Sequence, residues 1–376
     1  MLDFEYTNLP RIILGALIAA ACILLPPIPA YALEVDRSAA VVFVYQRIGE
    51  DTVPQGNISP DQFKEHIREL KIGGYHVLPL SQVVSAVKAG ALLPSKSVVI
   101  TFEGAYTATL ATAIPLLDEA GFPFTVFFSS DQADSGGPGH LTWEQLKSLQ
   151  KDKLAGFGIL PASYAHMTSN LPDANAALIN RATSRYRDVF KEDPAFFAWP
   201  YGEYSAALKK QIAAYKFKAV FGQQSGVLYK NADFLALPRF TMTDDVGDLD
   251  HFRLTARARP LPVSDVMPED PVGMGPHPPV IGFTVAAEIK DISRLSCFVS
   301  GVGKAALSYL GGNRVEIRFN DPLPDRRTRV NCTLPTVLSS SGMQGWRWFG
   351  MMLVSQGVEA DEDQDALSLD EVPDTE

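Results

Sequence analysis

The chain has 376 residues, with 33 Lys and Arg against 43 Asp and Glu, for a formal net charge of −10. Nine of those acids lie in residues 359–376, which hold no Lys or Arg, so the remainder nets about −1. A near-neutral body without a basic stripe excludes a nucleic-acid partner, and 46% apolar content excludes a wholly disordered chain. The length exceeds one ordinary core, which predicts a large domain joined to a smaller one.

Residues 1–32 read as a secretory signal. Arg11 precedes the apolar run "IILGALIAAACILL", and Ala30-Tyr31-Ala32 has the small-x-small form of a cleavage site. The run is short for a membrane span. The expectation is a periplasmic or secreted protein, or a membrane-anchored one if the signal is uncleaved. Cys22 falls within this segment, leaving Cys297 and Cys332. An even pair in an exported chain predicts one disulfide, whose loop of about 35 residues contributes about 3–4 kcal/mol by chain entropy.

Residues 33–260 alternate strands and helices. The apolar run 41–45 suits a strand covered on both faces. A helix follows from a Ser59 cap to a Gly73-Gly74 stop, with Phe63, Ile67 and Leu70 on one face. A short strand over 76–80 and a helix over 80–90 lead to a strand at 98–102, a helix at 108–120 and a strand at 124–128. A helix capped by Thr142, a strand at 157–160, a long helix at 173–190, a strand at 195–199, a helix at 205–217 and a strand at 218–222 complete the series. The pattern predicts α/β architecture with parallel βαβ units; six repeats favour a barrel, the alternative being an open sheet.

Residues 261–279 are dense in Pro, Gly and acid, the composition of a linker. Residues 280–357 then hold short, partly alternating runs broken by turns, which predicts a small antiparallel β module with its two cysteines on different strands. The tail, 358–376, reads as acidic and disordered.

Several phrases in fixed order carry a resemblance: "VVFVYQRIGE", "VVITFEGAY", "PLLDEAGFPFTVFF", "LTWEQL", "FFAWPYGEYS" and "LPRF". Together, from Ala39 to Arg239, they resemble the polysaccharide deacetylase family, the NodB-homology group that removes N-acetyl groups from amino sugars. The resemblance implies a distorted (β/α) barrel with its site at the C-terminal strand ends. It also implies a metal held by one carboxylate and two imidazoles, beside a second carboxylate acting as base.

On that pattern Thr101 and Phe102 match, Glu103 takes the base position, and Gly104 stands where the metal-binding Asp belongs. In "GFGILPASYAHMTSNL" the two imidazole positions fall on Leu160 and Tyr164, or on Ala162 and His166 in a slipped register; the first keeps more flanking matches. Gln46 and Ala198 stand where the family commonly has His and Arg. The resemblance therefore implies a barrel with degenerate metal positions at Gly104, Leu160 and Tyr164, and no metal or other cofactor is expected.

The functional expectation is an impaired, glycan-binding protein of the cell envelope, acting on or near N-acetylated amino-sugar polymers. Tyr164, His166, Trp199, Tyr201 and Arg239 would line its groove, since aromatic faces with a few polar groups suit saccharides. The alternatives are a divergent N-deacetylase, using Glu103 with zinc or another divalent ion, and a structural protein with a partner on the C-terminal module.

Overall fold

A computed structural model of the chain describes residues 35–50, 56–137, 139–274, 280–319, 323, 326–337 and 344–355. The expected signal (1–32) and acidic tail (358–376) lie outside these residues. Among the described residues no helix is long and apolar enough to cross a membrane.

The central sheet runs in the order Val227–Tyr229, Ala39–Tyr45, Ser97–Glu103, Phe124–Phe128, Ala155–Ile159, Phe196–Ala198 and Ala219–Phe221. Val227–Tyr229 pairs antiparallel, the others parallel; Phe240–Thr241 and His76–Val77 add on as side branches. The sheet curls into a half-barrel, so the expected α/β barrel holds, with an open side. Strand alternation divides its side chains into two layers. Val98, Ile100 and Phe102 join Phe43, Phe128 and Leu110 under the helices, whereas Val99 joins Val42, Phe127 and Phe221 inside the curl. By the same two-residue period, Glu103 shares the inner face with Val99.

The helices form where local signals start and stop them. Ser59 and Thr142 each cap a helix through a reciprocal box, with Gln62 and Gln145 respectively. Gly90 and Gly121 end Leu80–Ala89 and Thr107–Ala120 in left-handed geometry. Two further helices, Ser130–Ser135 and Leu249–Ala256, were not expected from the sequence.

The C-terminal body is two sheets around one core, including Ile281, Phe283, Val315, Ile317, Val330 and Leu353. Cys297 and Cys332 lie opposite each other on Ser296–Val299 and Arg327–Val337 and form the expected disulfide. The stretch 261–279, expected as a linker, instead supplies strands: Val263–Met267 pairs with Val280–Val285, and Val272–Met274 with Gln344–Ser355. Val263, Val266 and Val272 provide strand-forming side chains, and Pro262, Pro268 and Pro271 flank the strands, where a missing N–H costs little.

The two bodies are closely joined. Asp36 accepts from Arg259 and Arg347, both at 2.7 Å. Trp348 enters the barrel core edge-on to Phe240, with ring centroids 5.2 Å apart. At Gly350 the backbones nearly touch: a Cβ there would lie 2.1 Å from the Ser225 carbonyl oxygen.

Candidate functional site

Glu103 ends its strand inside the curl, and its side chain has 0% exposure. Arg239 donates from Nη2 to Oε2. Tyr164 Oη and Gln223 Nε2 both donate to Oε1 at 2.8 Å. Arg239 is itself anchored by its Nε donating to the Gly222 carbonyl at 2.8 Å, and it lies over the Phe127 and Phe221 rings. The carboxylate is thus paired, multiply hydrogen-bonded and closed to solvent, which is how a protein keeps an interior charge. Burial first, then the charge of Glu103, raises the Tyr164 pKa well above its ordinary value, so the phenol keeps its proton and remains a donor.

Beside it, Gly104 has φ +88, and a Cβ at that position would lie 2.3 Å from Tyr106 Cε2. The Tyr106 ring fills the space of the absent side chain. Arg47 caps that ring with its Cζ 3.9 Å from the centroid, and His140 lies 4.7 Å away, centroid to centroid. Leu160 is fully buried in the inner apolar layer, and Tyr164 is committed to Glu103. In the slipped register Ala162 is equally buried, and His166 is bound to Glu203. Among the described residues no group of three His, Cys, Asp or Glu side chains could hold a metal ion. An aliphatic side chain, a glycine and a protonated phenol do not fit a divalent metal, which takes nitrogen, thiolate or carboxylate donors.

The second cluster forms at the Pro200–Gly202 turn. Tyr201 sits at φ +58, its N–H donating to Tyr164 Oη at 3.1 Å. That hydroxyl therefore accepts from one strand end and donates to Glu103 at another. The Tyr201 ring stacks on His166, 4.0 Å apart and 9° from parallel, and Arg327 lies 5.3 Å from its centroid. Glu203, with no side-chain exposure, accepts from His166 Nδ1 at 3.0 Å and Thr168 Oγ1 at 2.9 Å, with Arg326 Nε at 3.6 Å. Burial raises the Glu203 carboxyl, but the hydrogen bond and charge of His166, with Arg326 and Thr168, outweigh it and hold the pKa below its ordinary value.

Of the expected groove residues, the structure brings Tyr164, His166 and Tyr201 together, each half-buried. Trp199 and Arg239 present no surface: Trp199 is 0% exposed with Nε1 donating to the Leu235 carbonyl, and Arg239 is the counterion of Glu103. Sequence reasoning missed Gln223, Glu203, Tyr106, Arg326 and Arg327. Gln223 and Glu203 carried a signal, being polar residues placed just after the strand runs "KAVFG" and "FFAW".

A curled parallel sheet, with a carboxylate at the tip of one strand and a Pro-Tyr-Gly turn at another, defines a deacetylase-type α/β fold. Residues 92–220, about a third of the chain, match the family model described as polysaccharide deacetylase. It is 22% identical over 193 residues to "Putative polysaccharide deacetylase YxkH" of Bacillus subtilis (strain 168), covering 50% of this chain and 67% of that protein. The fold is shared with deacetylase PplD from Streptococcus pyogenes, solved in complex with acetate, at a TM-score of 0.54 and 18% identity. That match covers 58% of this chain and 98% of the other. IcaB from Ammonifex degensii gives a TM-score of 0.52 at 20% identity, covering 58% and 97%.

Proposed function

We propose that this protein is an exported, hydrolytically silent member of the family that binds N-acetylated amino-sugar glycans of the cell envelope. One observation carries the reading: the strand-tip carboxylate, Glu103, is locked to Arg239, Tyr164 and Gln223 with no exposed surface. A general base must reach the proton it removes, and this one reaches only its own partners. The Tyr201 N–H, a donor at a strand end suited to a developing oxyanion, is taken by Tyr164 Oη. A set tied up in this way carries out no hydrolysis, and the sugar is placed against the accessible part of the His166 ring, whose side chain is 26% exposed.

Three measurements on the exported form test this together: calorimetric titration with chitooligosaccharides and peptidoglycan fragments, acetate release, and elemental analysis. Saturable heat without acetate, and metal far below stoichiometry, is expected. Stoichiometric zinc with acetate release would establish the divergent N-deacetylase instead. Silence toward every amino-sugar polymer would favour a structural role, with a protein partner on the C-terminal module.

A further inference from the structure

The barrel has a second end, opposite the Glu103 strand tip. The helix Leu80–Ala89 turns Val83, Val84 and Val87 into the inner layer with Val42 and Val99 and leaves Lys88 outside. Its exit loop meets the start of the strand Ala39–Tyr45, where the Leu93 N–H donates to the Arg37 carbonyl at 2.8 Å. Lys218 and Lys230 lie at the same end. The first directly precedes Ala219–Phe221, and the second directly follows Val227–Tyr229, whose Tyr229 pairs with Ala39. A Cβ on Gly90 would lie 3.0 Å from Lys230 Nζ, and Lys88 Nζ stands 4.7 Å from the Phe234 centroid.

The charge at this end is one-sided. Arg37, Lys88, Lys218 and Lys230 are exposed and have no ion-pair partner among the described residues. Residues 70–102 and 204–232, which carry the three lysines, contain no Asp or Glu, in a chain whose net charge is −10. Asp36 and Asp233, next in the chain to Arg37 and Phe234, are engaged elsewhere, Asp36 with Arg259 and Arg347 and Asp233 with Lys209. Burial first, then the charge of Lys218, lowers the Lys88 pKa, so the lysines repel one another. An anionic partner relieves that repulsion. Among these cations Leu92 stands 51% exposed on the exit loop. Val35 also lies at this end, so the segment read as an export signal, with its apolar run at 12–25, joins the barrel here.

We propose that this end of the barrel rests on an anionic lipid bilayer, with Leu92 at the acyl boundary and Arg37, Lys88, Lys218 and Lys230 against headgroup phosphates. An apolar tip ringed by cations matches both layers of such a surface. The strand Ser97–Glu103 has seven residues and spans about 20 Å, so the Glu103 mouth faces away from the lipid. The inference rests on export but not on glycan binding at that mouth.

Vesicle co-sedimentation of the protein without residues 1–32, which keeps every described residue, is the test. It compares vesicles of phosphatidylcholine alone with vesicles of phosphatidylcholine and phosphatidylglycerol in equal parts. Binding is expected to the anionic vesicles alone and is lost in high salt. The triple change Lys88→Gln, Lys218→Gln and Lys230→Gln should weaken it about a hundredfold. Leu92→Ser should weaken it about tenfold. A control triple, Lys64→Gln, Lys147→Gln and Lys290→Gln, alters exposed lysines elsewhere and should bind like the parent. Equal partition onto both kinds of vesicle, no binding to either, or the same result from both triple variants overturns the inference. Capture by soluble polyglycerol phosphate without vesicle binding would assign this face to an anionic polymer and also overturn it.

Discussion

The ring of Tyr106 occupies the volume into which a side chain at position 104 would extend, so Gly104 and Tyr106 are mutually dependent. Restoring an acid by Gly104→Asp forces a Cβ to 2.3 Å from the ring and places a side chain at φ +88. Overpacking and left-handed strain together predict a loss of about 2–4 kcal/mol, read from urea denaturation. Adding Tyr106→Ala is expected to recover part of the loss without conferring zinc binding, because Leu160 and Tyr164 still supply no ligand. A Gly104→Asp protein as stable as the parent would contradict the packing argument.

Breaking the Glu103–Arg239 pair leaves a charge in an interior with no water to receive it. Arg239→Met is expected to cost about 3–5 kcal/mol. Glu103→Leu combined with Arg239→Met should cost less than the sum of the single changes, since neither charge is then orphaned. A double-mutant cycle by chemical denaturation measures the coupling; strict additivity would show that the two groups act separately.

His66 gives the fold an acid-sensitive point. Its ring is buried, Nε2 donates to the Gly247 carbonyl at 2.7 Å, Nδ1 accepts from Tyr45 Oη at 3.0 Å, and Phe252 stacks 4.0 Å away. Burial lowers its pKa to about 4, against the opposing pull of the Gly247 carbonyl and the Asp248 charge. The unfolded chain takes up this proton near pH 6.5, and the folded one only near 4. The stability contributed by the neutral ring is therefore complete above 6.5 and is lost as pH falls toward 4. The stability difference between the parent and His66→Gln should shrink by about 3 kcal/mol across that window. Parallel stability curves would rule this out.

The disulfide closes a sequence separation of 35 residues. Replacing both cysteines by serine should reduce stability by about 4 kcal/mol, if unfolded-chain entropy dominates. Differential scanning calorimetry should show the lower-temperature shift without loss of the folded baseline; an unmoved transition would place the benefit elsewhere.

Much of the barrel is legible in the amino-acid order because its signals are local. Ser59 and Thr142 announce helix starts within three residues, and the apolar run before Glu103 announces a strand whose tip faces the site. The partners of that tip are not local. Arg239 lies 136 residues away and Gln223 lies 120 away; the phrase "LPRF" and a position just after a strand run place them near the site, but neither signal names Glu103 as the partner. Trp199 looked like a sugar platform by type, but the strand period turns it into the helix-covered layer beside Phe197. Residues 261–279 looked like a linker because proline and glycine dominate their composition, whereas pairing depends on the few valines between them.

The contact between Gly350 and Ser225 bears on how the chain can be divided. The module's last strand also contributes Trp348 to the barrel core and Arg347 to Asp36. Cutting after residue 260 would strip an indole from beside Phe240 and take Arg347 from Asp36, leaving that carboxylate Arg259 alone. The inheritable unit is therefore the pair, and any fragment meant for crystallisation or transplantation must carry both halves of that seam.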